Sequence, residues 1–375
     1  MNDSPDIGKL IDELDAMPHS AAQAEAARML WSHAQQHPDP ALRFRALAST
    51  LQAVVFSGDS AYFLSLFPQL VRLKQEHPDA VDTHTYVWRI KWLVGHMDDF
   101  PEVPWQRITE AEDFYARTLQ EVGGNQRTAI YMRWKNALFA GKMEKLAALR
   151  EEFLALPRDS HADCHACEVN ALVRHALHSG DFNRAKEAAE PLVTRRMRCA
   201  EVPHSTFGNL LLPTLLEGDA DTAAQYHRKG YPLVRFNVGL LGIVGDHLGY
   251  LAAVGAEDMF LRLLKNHSAW LEQNHNPADH LDFFTAAAAG LEMLAESGRR
   301  KRPLKLNLPP KLHEAWGESL PVAALGEHFA NEARQLASAF DRRNGNTWKK
   351  DRAEQMWADI RELRKKHAGT VSALS

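Results

Sequence analysis

The chain has 375 residues, 45% of them hydrophobic and 25% charged, with a formal net charge of −4. That composition belongs to a folded chain rather than a disordered one, and the slight negative balance argues against general nucleic-acid binding, which needs a clustered positive surface. Three cysteines are too few for a disulfide framework, and no apolar run has membrane-spanning length, so the reducing cytoplasm is the expected compartment.

The opening stretch, MNDSPDIGKLIDELDAMPHS, is acidic and lacks the apolar core of a secretory signal. From about residue 22 to 297 helical periodicity dominates, and alternating β-branched runs are nearly absent. The pattern predicts helices at roughly 22–36, 40–57, 60–76, 82–97, 105–122, 126–140, 143–156, 165–179, 182–196, 204–217, 220–235, 240–254, 256–273 and 278–297. Pro40 suits a first helical turn. Six glycines, Gly58, Gly95, Gly141, Gly180, Gly218 and Gly255, recur at intervals of 37, 46, 39, 38 and 37 residues, each after an apolar helical run. A period in this range marks stacked helical hairpins, with glycine turning the chain between the two helices of a unit. The Gly-Asp steps at 58–59, 180–181 and 218–219 place an aspartate where it can start the next helix.

Two units carry a family likeness. ALVRHALHSGDFNRAKEAAEPLV (171–193) sets small or apolar residues before Gly180, Phe182 after the turn, then Ala185, Ala188 and Ala189. NLLLPTLLEGDADTAAQYHRKGYPLVR (209–235) repeats the plan with Gly218, Ala223 and Ala224. Both resemble the tetratricopeptide repeat. The resemblance implies a right-handed α-solenoid that binds protein segments, and it brings no specific ligand. The expected fold is therefore all-α: a tetratricopeptide-like solenoid of six or seven helical hairpins with a C-terminal helical cap. Its expected parts are divergent repeats over 1–140, regular repeats with the cysteines over 141–297, a proline-rich basic linker over 298–321, and the cap over 322–375. GRRKRPLK (298–305) reads as a solvated linker, with contact to an acidic partner or nucleic acid as the alternative. Within the cap, helices are expected at about 322–342 and 348–367. The last is amphipathic through Trp348, Met356, Trp357, Ile360 and Leu363. It closes the open end of the array or folds over its concave face.

All three cysteines fall within 36 residues: Cys164 and Cys167 in DCHACE (163–168), and Cys199 in RCAEVPH (198–204). A C-x-x-C knuckle at a helix start offers two thiolates to one ion, and zinc takes four N or S ligands in a tetrahedron. Cys199 precedes the first helix of the next hairpin, at the same end of the array, and His204 lies five residues on. The expected site is a structural zinc held by Cys164, Cys167, Cys199 and His204, with His161, His165, His175 and His247 as alternative fourth ligands. Unligated buried thiols and a redox-active C-x-x-C are the competing readings, although no thioredoxin-like βαβ pattern surrounds the motif. The D-C-x-x-C-E…C-x-E-x-P pattern, in Asp163, Cys164, Cys167, Glu168, Cys199, Glu201 and Pro203, also resembles a set of uncharacterised bacterial tetratricopeptide-like proteins over residues 160–300. That likeness implies an intracellular repeat protein with no assigned reaction.

The other histidines, among the 19 present, read as surface or core residues. No HExxH and no glycine-rich phosphate loop occurs. THTYVWRIKWLVGH (83–96) and IYMRWKNALF (130–139) alternate aromatic and cationic residues. Tyr86, Arg89, Trp92, Tyr131, Arg133 and Trp134 are the expected lining of a groove that grips an acidic or C-terminal peptide; the alternative is that the rings are core. The function expected is a non-enzymatic scaffold for a protein or peptide partner. A ligand- or peptide-gated regulator comes second, and a metal- or thiol-dependent enzyme third.

Overall fold

The computed structural model describes residues 6–367; the ends of the two expected terminal parts, 1–5 and 368–375, lie outside the described residues. The described residues are helical apart from turns, loops and one short antiparallel pairing of Pro303–Leu304 with Leu320–Pro321. The chain divides into two compact units. Unit 1 runs up to Ala162 and also takes in Asn237–Gly239 and Gln273–Asn276; unit 2 comprises Asp163–Phe236, Leu240–Glu272 and the chain from Pro277 onward.

Unit 1 contains α1 (Ile7–Ala16), α2 (Ala21–Ala34), α3 (Pro40–Phe56), α4 (Ser60–Glu76), α5 (Thr83–His96), α6 (Trp105–Glu121), α7 (Arg127–Phe139) and α8 (Met143–Ala155). Short side chains start these helices by taking up orphan backbone N–H groups. Asp6 accepts from Lys9, Ser20 from Gln23, Asp39 from Ala41, Asp59 from Tyr62 and Asp82 from Thr85. Pro40 occupies the first turn of α3. Helices α3, α5 and α7 pack in succession, and α5 also touches α4 and α6. The core between α7 and α8 is aromatic: Trp134 and Tyr131 meet Phe153 at 5.2 and 5.5 Å.

Unit 2 contains α9 (His165–His178), α10 (Phe182–Val193), α11 (His204–Leu216), α12 (Ala220–Val234), α13 (Leu241–Ala253), α14 (Glu257–His267), α15 (Trp270–Gln273, its last residue in unit 1), α16 (Pro277–Leu294), α17 (Pro310–Trp316), α18 (Val322–Asn344) and α19 (Trp348–His367). Helices α9, α11, α13, α16 and α18 form a row in which each packs on the next, while α10, α12 and α14 fold back on their own partners. Asp181 and Asp219 cap α10 and α12 as the Gly-Asp steps suggest.

Five of the six ladder glycines have left-handed backbone: Gly58, Gly141, Gly180, Gly218 and Gly255. Gly95 does not. It lies inside α5, where an added Cβ would sit 2.8 Å from Met132 Cε on α7, so it serves close helix approach. The α5–α6 turn is made instead by a 3-10 turn at Met97–Asp99 and the segment to Pro104. Two short helices, α1 and α17, stand outside the periodic range, and the helix expected over 256–273 is broken into α14 and α15.

The last two helices do different things. Helix α18 extends the row, whereas α19 turns back across α16, α13 and α11. Asp341 of α18 accepts the backbone N–H groups of Lys349 and Lys350, which fixes the start of α19. Trp357 Nε1 donates to the Thr285 carbonyl at 2.8 Å, and Arg361 forks onto Glu292 at 2.7 and 2.9 Å. The buried stripe is Trp357, Ile360 and Leu363.

Three histidines from α12, α13 and α14 meet in the core of unit 2. His227 and His247 share a hydrogen bond between their Nδ1 atoms at 3.0 Å, and the Tyr231 hydroxyl lies 3.1 Å from His267 Nε2. Burial pushes His227 and His267 down to about 4 and holds His247 well below the usual histidine range. These rings stay neutral when folded but protonate near 6.5 once exposed. The stabilising contribution of His227 and His267 is therefore complete above about pH 6.5 and drains away as the pH falls toward about 4, by up to roughly 2 kcal/mol apiece at pH 5, and His247 acts in the same direction. Urea unfolding should show a midpoint that drops steeply from pH 7 to 5, and His247→Gln should flatten that slope. A second test concerns packing. An added Cβ at Gly290 on α16 would lie 1.9 Å from Phe260 Cε2 on α14, and Phe260 is fully buried. Gly290→Ala should cost about 3 kcal/mol or more through overpacking, read as a lowered melting temperature.

Candidate metal centre

Cys164 is the residue that starts α9, Cys167 lies in its first turn, and Cys199 lies in the connection from α10 to α11. That connection is held by its own backbone: Met197 N–H donates to Pro191 O at 2.9 Å and Cys199 N–H to Val202 O at 2.8 Å. The three half-buried thiols rest on an apolar cluster built from α9, α10 and α11, in which Ala166, Val173, Ala189, Val202 and Leu210 are buried. Cys167 and Cys199 Sγ are 3.3 Å apart, and all three sulfurs lie within 4.8 Å of one another. Sulfurs sharing a tetrahedral zinc would stand about 3.8 Å apart for bonds near 2.3 Å, so the spacing fits a metal with little adjustment.

The polar surroundings favour one thiolate. Cys164 is held well below the usual thiol range, first by hydrogen bonds from the Cys167 and Cys199 thiols and then by the backbone N–H groups of Cys167 and Ala166. Its place at a helix start explains those backbone donors. Cys167 and Cys199 are raised, chiefly because they hydrogen-bond to Cys164. The Glu201 N–H opposes that shift at Cys199. The arrangement is thus one negative sulfur cradled by two thiols, and a cation entering it displaces the remaining protons.

Among the described residues, the group brought within ligand distance consists of the three cysteines. His204, the first residue of α11, stands outside it. Its Nδ1 is buried without a hydrogen-bond partner, and burial together with Arg195 keeps the ring neutral. His165 is exposed at the start of α9, and His175 is half-buried and lowered by burial. His161 stacks on His84 in unit 1, and His247 is engaged with His227. The expected fourth ligand is therefore not assembled with the sulfurs.

The expected aromatic-cationic groove is not present as a surface. Tyr86, Tyr131 and Trp134 are buried, with 6%, 1% and 0% of their surface exposed. Arg89 is buried too and is bonded to the Ala48 carbonyl and Gln52. Trp92 meets Phe56 edge-on at 5.1 Å, and Arg133 pairs with Asp113 at 2.8 Å. The reason is helix placement: α5 and α7 are enclosed by neighbours on several sides, so aromatic residues on more than one face become core. What residue patterns did not reveal is the histidine cluster. Its members come from three helices at 20-residue steps, and that regular spacing is the one signal that could have found it.

Comparison with protein-family profiles, with curated proteins and with solved structures gives no match.

The geometry makes a direct prediction. Each chain should take up one zinc or cobalt ion by equilibrium dialysis, and Cys199→Ser should abolish that stoichiometric binding. Because hydrogen bonding raises Cys167 and Cys199, binding should release protons and affinity should fall as the pH is lowered.

Proposed function

We propose that this protein is a non-enzymatic binding scaffold of tetratricopeptide-like hairpins, in which a structural zinc ion ties the α9–α10 hairpin to α11. The observation that carries this reading is the meeting of Cys164, Cys167 and Cys199 within 4.8 Å from the starts of two successive hairpins. A metal there adds a link between segments already joined by an alanine-rich cluster and by the hydrogen bonds of Asn170 to Ser205 and Thr206, and metal binding to a folded site adds to stability by mass action. The recurrent hairpins, their left-handed glycine turns and the row of packed first helices support a repeat scaffold, whose usual use is to hold a protein or peptide segment. Cys164, Cys167 and Cys199 would hold the ion, and His204, whose Nδ1 is buried without a hydrogen-bond partner, or a water molecule would supply the fourth ligand. Of the residues expected to face a partner, Trp92 and Arg133 retain accessible surface.

Stability measurements on the purified zinc-loaded chain test the staple. Chelation should lower the melting temperature by several degrees, and Cys199→Ser should reproduce that loss without further response to chelator. Unchanged melting in both cases would overturn the reading.

A further inference from the structure

A separate cavity of about 450 Å³, open to solvent on one side, lies in unit 1, between α1, α3, the turn at Pro78–Ala80 and the start of α5. Its size is in the range that holds a small ligand or a terminal side chain. Arg89 lines it and is only 8% exposed. The guanidinium donates from Nε to the Ala48 carbonyl at 3.0 Å and from Nη2 to Gln52 Oε1 at 2.9 Å, and it lies 4.4 Å from the Trp92 ring centroid. All these partners are neutral. Burying a guanidinium against neutral groups is costly, and an anion placed beside it recovers much of that cost.

The carboxylates at the cavity are already engaged. Asp15 accepts from Ser49 Oγ at 3.2 Å, and Asp82 caps α5 by accepting the Thr85 N–H at 2.8 Å. Burial pushes Arg89 down to about 10, with Asp15 acting in the opposite sense from a distance. Arg45, exposed on α3, adds a second cation to the lining.

We propose that this cavity binds a carboxylate borne on an apolar body, with the carboxylate at Arg89 and the body against Ile11, Phe44 and Ala80. The nearby Asp15 and Asp82 select a monoanion, because they repel a doubly charged group more strongly than a single carboxylate. Such a carboxylate belongs either to a free organic acid or to the C-terminal residue of a peptide. The proposal stands independently of the metal centre, since the cavity and the cysteines lie in different units.

Calorimetric titration of the full chain tests it with 3-phenylpropionate, with N-acetyl-Ala-Phe, with the corresponding C-terminal amides, and with inorganic phosphate. At least one free acid should bind, its amide should bind at least tenfold more weakly, and phosphate should not compete. Binding of phenylpropionate alone would identify a free acid as the ligand class, and binding of the dipeptide as well would identify a peptide C-terminus. Arg89→Gln should lose the preference for acid over amide. Because that buried change can impair folding, two surface variants give independent readings: Arg45→Glu should weaken acid binding severalfold, and Asp15→Asn should tighten it. Equal binding of acid and amide, effective competition by phosphate, or no binding by either acid would overturn the proposal.

Discussion

The structure depends on one two-residue device: a glycine in the left-handed region that stops a helix, followed by a short polar residue that starts the next. Glycine tolerates that backbone because it has no Cβ, and aspartate satisfies the N–H groups the new helix leaves open. At 58–59, 180–181 and 218–219 both halves of the device are in place. Each step folds a helix back on its predecessor, and the hairpin so made has one apolar face left to bury on the next. Stacking follows from that requirement rather than from any single contact.

The same register places the chemistry. Cys164 and Cys199 each stand before the first helix of a hairpin, 35 residues apart in a chain whose turns recur at 37 to 39 residues in that region. Cys164 caps α9 whereas Cys199 lies five residues before α11, and the backbone-held connection around Cys199 brings its sulfur to the other two. The helix start also supplies backbone donors to Cys164. Loop geometry, helix polarity and repeat spacing therefore converge on one point. The site needs little dedicated structure beyond the connection from Thr194 to Pro203.

This also explains how much was legible from the residues alone. Glycines, aspartates and a 3.6-residue period are local signals, and they located most helices to within a few residues. Gly95 shows their limit: it follows an apolar run like the others but serves a close approach between α5 and α7, which no local pattern encodes. Helix α1, with Asp6 as its cap and Ile7, Ile11 and Leu14 buried, carries the usual signs over only 10 residues, too short a span for its period to stand out. The cysteine triad was legible because its members share a register. The aromatic groove was misread because exposure depends on how many neighbours enclose a helix, and α5 and α7 have several.

The two units show two ways of burying an ionisable group. Unit 2 buries groups that can become neutral, as with the histidines of α12, α13 and α14. Unit 1 buries three cations, Arg89, Lys91 and Arg127, close to aromatic rings. Lys91, 1% exposed, lies 3.1 Å from the Trp88 ring centroid. Arg127 donates to the Leu156 carbonyl at 3.1 Å and lies 5.4 Å from the Phe153 centroid. Ring faces and carbonyl oxygens offer a buried cation partial negative charge. In α5 the alternation of aromatic and cationic residues places Trp88 against Lys91 and Trp92 against Arg89. Arg89 differs from the other two in lining a cavity, and that difference turns an interior solution for burying charge into a place where an external anion can enter.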